Sequence, residues 1–332
     1  MYIIIVKIGT EEDSMRIGRT TLERIFKDLV GSGELSRKEI ACRLGISETS
    51  AGLGVTALFG LGLVCISKNA LGIGRGEYVS VSRELTCLVI DLCNSGTLFA
   101  LSEPSARVCE PKAIGHLPQR DSLANLAFTA KEIKKHLTRC ACTPLLTAVA
   151  LPGDLDDHEA RLAILSEAGI KADIVVSCAA AATEYCTHLS CGVDDFAYMS
   201  IGRSIWGCSS LNPGKTLKWG ELKVADGSEI TLGEAWRWEP DEEILLGMLV
   251  RAVKAVEIIS EPQTIYLSST GIPAKIKAGM ELSLPRLKDI SAQFPVLGGL
   301  MLMCADRIFE SRISGMLGRD VISAPASCSR QK

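Results

Sequence analysis

Three cations set close together, Arg37, Lys38 and Arg43, are followed at once by three hydroxyls, Ser47, Thr49 and Ser50. Guanidinium and ammonium groups neutralise phosphate, and hydroxyls donate to phosphate oxygens or to base edges. The chemistry open to such a stretch is therefore contact with a nucleic-acid duplex. Lys68 and Arg75, further along, extend the same set of phosphate contacts.

Two short helices are needed to hold these side chains. Ser36 stands where it caps a first helix with Ile40, Ala41 and Leu44 on one face. Gly45 supplies the turn, and Ser47 caps a second helix that points Ala51, Val55 and Leu58 inward. An earlier helix carries Leu22, Ile25, Phe26, Leu29 and Val30 at helical spacing. Gly62-Leu63-Val64 ends the second helix and opens an apolar strand over 64–66. A Gly-rich stretch around Arg75 completes a wing that runs to about Ser80. This order fits a winged helix-turn-helix whose second helix enters the major groove. An ordinary helical hairpin is the alternative reading of the same spacing, and the stretch around Arg75 reads as a minor-groove contact or a plain linker.

The outward positions of the second helix are Glu48, Thr49, Ser50, Gly52, Leu53, Thr56 and Ala57, with no cation among them. Gly52, Gly54 and Gly60 each cost that helix roughly 1 kcal/mol relative to Ala. Base reading would rest on Thr49 and Ser50, so backbone contact is better supplied than sequence specificity.

A chain of 332 residues is too long for one ordinary domain, and 47% hydrophobic with 23% charged residues describes a globular protein with a sizeable core. The net charge of −3 gives no global attraction to nucleic acid, so a local patch must provide it. Residues 15–80 hold nine Lys or Arg against six Asp or Glu. The thirteen cysteines contain no CxxC pair; the closest two, Cys140 and Cys142, flank Ala141. Cys87, Cys93, Cys178, Cys208 and Cys304 sit in apolar or small-residue runs, where the thiol acts as a small hydrophobe. With four scattered histidines, no metal site is expected, and no cofactor. Many free thiols without a secretory signal pattern point to a reducing cytoplasm. The opening MYIIIVKIG is too short to span a membrane and reads as a leader outside the fold, with Met15 as an alternative start.

Beyond residue 80 the texture becomes α/β. Strands are expected at 86–92, 97–101 and 107–110, a helix at 122–137, and strands at 145–151 and 173–176, with an Ala-rich helix at 179–189 behind. The pattern restarts with strands at 196–201, 204–211 and 217–224. Helices at 241–258 and 297–313 follow, with a strand at 264–267 between them. Two successive units of this kind predict a duplicated α/β architecture with a cleft between its halves.

The order of short motifs along this second part resembles the ROK family of repressors, open reading frames and kinases. Val89-Ile90-Asp91-Leu92-Cys93-Asn94-Ser95-Gly96 is similar to the family's first phosphate loop, and Ile201-Gly202-Arg203-Ser204-Ile205-Trp206-Gly207 to its second. Val149-Ala150-Leu151-Pro152-Gly153 resembles its apolar strand ending in Pro-Gly. Ile174-Val175-Val176-Ser177-Cys178-Ala179-Ala180-Ala181-Ala182 falls on the motif that normally reads Asn-Asp-Ala-Asn-Ala-Ala. Leu267-Ser268-Ser269-Thr270-Gly271 replaces the glycine run near the adenosine.

The resemblance implies an N-terminal winged helix-turn-helix over 15–80. A two-lobed actin/hexokinase-like, ribonuclease H-like ATPase fold would follow, its lobes at 81–190 (with 314–330 as an optional addition) and 191–313. It also implies lost chemistry. Attack by a sugar hydroxyl needs a carboxylate to take its proton, and Cys178 stands at that position. Ser177 replaces a sugar-binding Asn. Arg203 and Trp206 crowd a loop whose glycines would let backbone N–H groups reach phosphate. Val224 replaces the family's sugar-binding His, and the zinc-binding cysteines are missing from 226–236. Asp91, Ser177, Cys178, Glu221 and Glu234 remain as candidate ligand contacts, with Glu221 and Glu234 equally readable as surface or capping residues.

The reading is then a DNA-binding regulator whose kinase-like body is not an enzyme. That body senses a small-molecule effector, a sugar first among them, or holds a homodimer or higher homo-oligomer, with no membrane partner. The alternatives are a scaffold protein that has lost specific DNA recognition and, last, an active sugar kinase.

Overall fold

The computed structural model describes residues 3–7, 14–68, 77–92, 96–108, 110–116, 121–152, 157–190, 195–201, 205–221, 231–238, 241–269 and 272–317. They fall into two compact units. The first draws on residues up to Thr86, on Ser102–Arg107 and on residues from Cys304 onward; the second holds Cys87–Leu101 and Val108–Met303.

The first unit opens with β1 (Ile3–Lys7) paired antiparallel to β2 (Ser14–Gly18), Ile3 opposite Gly18 and Lys7 opposite Ser14. The opening residues thus form a strand pair, a two-stranded sheet of its own. Residues 3–7 are Ile-rich and β-branched, so a neighbouring strand suits them. α1 (Arg19–Ser32) buries Leu22, Ile25, Phe26, Leu29 and Val30 and stops at Gly33, whose φ of 85° suits glycine.

After β3 (Leu35–Ser36), α2 (Arg37–Leu44) starts with a capping box. Glu39 N donates to Ser36 Oγ at 3.2 Å, and Ser36 N to Glu39 Oε2 at 2.7 Å. Those bonds hold the Glu39 carboxyl below its ordinary range. Gly45 turns the chain at φ 63°, and Ser47 caps α3 (Glu48–Gly60). β4 (Val64–Lys68) and β5 (Glu77–Val81) pair antiparallel, with β3 on the far side of β5. Gly54 explains part of the glycine content of α3: a Cβ there would lie 2.3 Å from Ile25 Cδ1, so its absence lets α3 rest on α1.

In the second unit, β6 (Cys87–Asp91), β7 (Gly96–Ser102) and β8 (Lys112–Gly115) lead into α4 (Ser122–Arg139). Then come β9 (Leu146–Leu151), α5 (His158–Glu167), β10 (Ile174–Ser177) and α6 (Cys178–Leu189). The sheet order is β10-β9-β6-β7-β8, with β10, β9 and β6 parallel and β7 antiparallel to β8.

A second sheet repeats this plan with β11 (Phe196–Ile201), β12 (Ile205–Ser209) and β13 (Asn212–Leu217). A 3-10 turn at Trp219–Glu221 leads to α7 (Leu232–Trp238), α8 (Glu242–Ser260) and β14 (Thr264–Ser269). α9 (Ala274–Ser283), β15 (Leu287–Asp289) and α10 (Pro295–Leu317) complete it. Its order is β13-β12-β11-β14-β15, with the first three antiparallel and β11, β14 and β15 parallel. Taken from the hairpin edge, both sheets run three-two-one-four-five, so the duplication expected from the sequence is present in the topology.

Each sheet has its own core. Leu88, Ile90, Val149 and Leu151 pack on Leu126, Ala130 and Ile133 of α4, and Ala197, Met199, Ile265 and Leu267 pack on Leu249, Val253 and Met280. The central strands β6 and β11 are buried throughout, which is why both read as unbroken apolar runs.

Two sequence expectations are displaced. The third strand begins at Lys112 rather than 107, because Glu110 takes a φ of 50° and Pro111 follows it. The strand expected at 217–224 lies earlier, at Asn212–Leu217, and Trp219–Glu221 is a 3-10 turn. α5, α7 and α9 were not foreseen.

Within the first unit, the end of α10 packs on α1. Phe309 stacks on Phe26 at 5.7 Å between ring centroids, Lys27 pairs with Asp306 at 3.3 Å, and Arg19 pairs with Glu310. Burial pushes the Asp306 carboxyl up, and Lys27 offsets part of that rise. Among the described residues, Ser291–Gly315 is long and apolar enough to cross a membrane, yet 67% of its most apolar window is buried within the protein.

Candidate functional site

The parallel strands β6, β9 and β10 end side by side, and ligands of open α/β sheets bind outside such carboxyl ends. Asp91 closes β6 and Ser177 closes β10, so the topology brings two of the sequence candidates to one edge. Cys178 opens α6, and its Sγ lies 3.6 Å from Asp91 Oδ1. Both residues are buried, at 4% and 2% exposure.

Cys42, Cys65, Cys140, Cys142, Cys186 and Cys208 are free thiols, as expected. Cys178 is not: it is disulfide-bonded, which corrects the free-thiol reading at this position. A disulfide sulfur is neutral and very weakly basic, unlike a carboxylate, so it cannot take a proton from an attacking hydroxyl.

Ser177 is held by structure. Its Oγ accepts from Ala180 N at 3.1 Å as the cap of α6 and donates to Gly214 O at 3.2 Å. The Ala-rich start of α6 has a packing role as well. A Cβ on Gly299 of α10 would fall 1.8 Å from Ala181 O, so the two helices meet backbone to backbone.

The two glutamates lie elsewhere. Glu221 is exposed in the 3-10 turn and pairs with Lys218 at 3.3 Å. Glu234 accepts from Thr231 N and Oγ1, both at 2.9 Å, while its own N–H donates back to Thr231 Oγ1 at 3.3 Å. That is a capping box at the start of α7. Cys93, Asn94 and Ser95 of the first loop, Gly202 to Ser204 of the second, Gly153, Val224, 226–230, Thr270 and Gly271 lie outside the described residues. Among the described residues no group of three or more His, Cys, Asp or Glu is placed to hold a metal ion.

In the first unit, the proposed phosphate contacts are only partly available. Arg43 Nε donates to Asp28 Oδ1 and Oδ2 at 2.9 and 3.1 Å, and its Nη2 donates to Ser32 Oγ at 2.7 Å. Arg37 pairs with Glu77 at 3.2 Å. Lys38 is exposed on α2, and Lys68 ends β4 opposite Glu77. Ser47 Oγ accepts from Ser50 N and lies 2.9 Å from Ser50 Oγ, so two of the three hydroxyls serve the cap. Thr49 is exposed. Arg75 lies outside the described residues. Sequence reasoning missed Asp28, because the α1 pattern marks only its buried face.

No family model matches the sequence, and no curated protein does. Solved structures do. One is a transcriptional regulator of the ROK family, a homologue of the E. coli MLC protein. It shares 14% identity with this chain, covering 90% of this chain and 99% of its own, at a TM-score of 0.56. Another is an inorganic polyphosphate/ATP-glucomannokinase from Arthrobacter sp. strain KM, at 15% identity, 68% of this chain, 99% of its own and a TM-score of 0.50. The structural neighbours therefore include a ROK-family regulator and a sugar kinase, and the chain shares their α/β fold with mixed sheets.

Proposed function

We propose that the chain is a DNA-binding transcriptional regulator of ROK type, with a winged helix-turn-helix over 15–80. Its kinase-like body, with lobes at 81–190 and 191–313, no longer transfers phosphate and serves as an effector-sensing or dimerisation domain. The observation that carries this reading is coverage: the transcriptional-regulator neighbour matches 90% of the chain, the glucomannokinase 68%. The order α1, β3, α2, α3, β4, β5 supports it, since a capped helix pair followed by a hairpin is the arrangement of winged DNA readers. Loss of catalysis is supported by Cys178, buried and disulfide-bonded where a carboxylate base would be required.

Lys38, Lys68 and Arg75 are the proposed phosphate contacts, with Arg37 and Arg43 joining them when released from Glu77 and Asp28. Ser47, Thr49 and Ser50 complete the face. Asp91 and the end of β10 mark the effector end of the body, a sugar being the first ligand class to try, with Ser177, Cys178, Glu221 and Glu234 as the further contacts.

Two observations favour a second reading, a scaffold without specific DNA recognition. Arg37 and Arg43 are neutralised internally, and Phe59 stands 46% exposed at the end of α3. Fluorescence anisotropy with the duplex upstream of the gene, a scrambled duplex and a salt series separates the two. Preference for the native duplex at physiological salt supports the regulator. Equal binding that vanishes with moderate salt rejects it in favour of the scaffold.

A further inference from the structure

α1 lies at the centre of the first unit, and α10 reaches it from far along the chain. Arg19 of α1 and Glu310 of α10 stand 291 residues apart in sequence, yet they pair. The part of α10 from Cys304 onward belongs to the same unit as α1. Its buried side is Cys304, Ala305, Ile308, Phe309 and Ile313, a spacing that sets them on one helical face.

Three contacts join this stretch to α1. Phe309 stacks on Phe26, with ring centroids 5.7 Å apart and the planes 20° from parallel. Lys27 Nζ sits between two carboxylates, 3.3 Å from Asp306 and 3.1 Å from Glu23. Arg19 with Glu310 completes the set. The Lys27–Asp306 and Arg19–Glu310 pairs are partly solvated, so each adds little to stability and serves chiefly to fix geometry. The ring stack is dry, with Phe26 and Phe309 both buried.

Another face of α1 carries α3. Ile25, next to Phe26, is fully buried, and a Cβ on Gly54 would lie 2.3 Å from its Cδ1. At so close an approach the two helices move together, because a packed interior has little slack to absorb a shift. We propose that Asp306, Phe309 and Glu310 are positioning residues for the reading helix: they hold α1, and α1 sets where α3 and its outward hydroxyls lie. The inference rests on the DNA-binding reading of the first unit. It gives the far end of α10 a part in recognition that acts through α1.

Hydrogen exchange read by mass spectrometry tests this in the full-length protein. Lys27→Glu sets a third carboxylate beside Glu23 and Asp306. The α3 amides over 51–58 are expected to exchange about fivefold faster in it, while those of β11 and β14 keep their rates. Lys27→Glu with Asp306→Lys restores opposite charges and returns α3 to the unaltered rate. If the charge-reversed protein does not fold, Phe309→Leu, which keeps the apolar volume and loses the stack, gives the same contrast. Faster exchange in α1 and α10 with α3 unchanged overturns the proposal, as does a charge swap that leaves α3 fast. Anisotropy on the same proteins separates the proposal from the reading beneath it. Preference for the native over the scrambled duplex falls about fivefold in Lys27→Glu and recovers in the swap; a preference that stays the same also overturns the proposal. An unaltered protein with no preference at all removes the regulator reading, while the exchange rates still decide whether α10 positions α3.

Discussion

Asp28 of α1 holds Arg43 of α2 by both carboxylate oxygens, at 2.9 and 3.1 Å from Nε. The carboxylate is well shielded while the guanidinium is half exposed. A side chain that the sequence offers as a phosphate contact is thus spent on fastening two helices together.

Replacing Asp28 with Asn removes that competitor. The Asp28→Asn protein is expected to bind duplex DNA more tightly at low salt. Its log–log salt slope should steepen by about 0.9 if Arg43 takes up one phosphate. Arg43→Ala alone should leave DNA affinity nearly unchanged while lowering the melting temperature. Anisotropy titrations over a salt series check both, and an unchanged slope in Asp28→Asn would mean that Arg43 faces no duplex.

The meeting of α6 and α10 predicts a sharp contrast between two glycines of one helix. Gly299→Ala must push the helices apart, because its Cβ meets a backbone carbonyl, and a cost of about 1–3 kcal/mol or more is expected. A Cβ at Gly315 meets nothing within 4 Å, so Gly315→Ala should stabilise by about 0.5–1 kcal/mol through helix propensity. Urea unfolding of both variants reads the difference directly.

Lys277 of α9 pairs with Asp289 at the end of β15, and Ser291 N donates to the same carboxylate at 2.9 Å. Burial alone would raise the Asp289 pKa; Lys277 and Ser291 outweigh it and hold the carboxyl below its ordinary range. A depressed carboxylate contributes stability above its unfolded value of about 3.9, and that contribution is lost as pH falls through the lower folded value. Lys277→Met should therefore lower the melting temperature at pH 7 by about a degree or two, since the pair is partly solvated. The deficit should shrink below pH ~4. A deficit that is the same at pH 3 and pH 7 would remove the ion pair as its cause.

Ser177 predicts a split between stability and ligand binding. Loss of its cap in Ser177→Ala should cost about 1 kcal/mol in the ligand-free protein, read by urea unfolding, and more with ligand bound because the contact is lost too. With hexoses and ATP, neither the unaltered protein nor Cys178→Asp should form sugar phosphate in a coupled assay. Turnover by the unaltered protein would overturn the inactive reading.

The fold was legible where a single periodicity ruled. α1, α4, α8 and α10 carry apolar residues at helical spacing on long segments, and β6, β9 and β11 are mostly apolar runs between turns. α5 escaped because His158–Glu167 mixes charge and alanine with only Arg161 and Leu165 buried. α9 escaped for the same reason, with Ile276 and Met280 its buried residues. At the candidate site, the meeting of Asp91 with Cys178 was legible only through the order of motifs, since 87 residues separate them in the chain. The Thr231–Glu234 capping box was open to inspection as a Thr-x-x-Glu pattern. The pairing of Arg43 with Asp28 was not, because charge on an exposed helix face carries no periodic signal that names its partner.

Gly54 has a practical bearing on redesign. Protein engineers commonly retarget winged domains by transplanting the outward residues of the second helix. Here the inward side of α3 accepts Ile25 into a space that any side chain would occupy. A donor helix could bring arginines or asparagines at positions 49, 50, 53 and 56, but position 54 should stay small: alanine there asks only that the flexible end of Ile25 turn aside. A bulkier residue would push the graft off α1 and aim its new side chains away from the groove they were chosen to read.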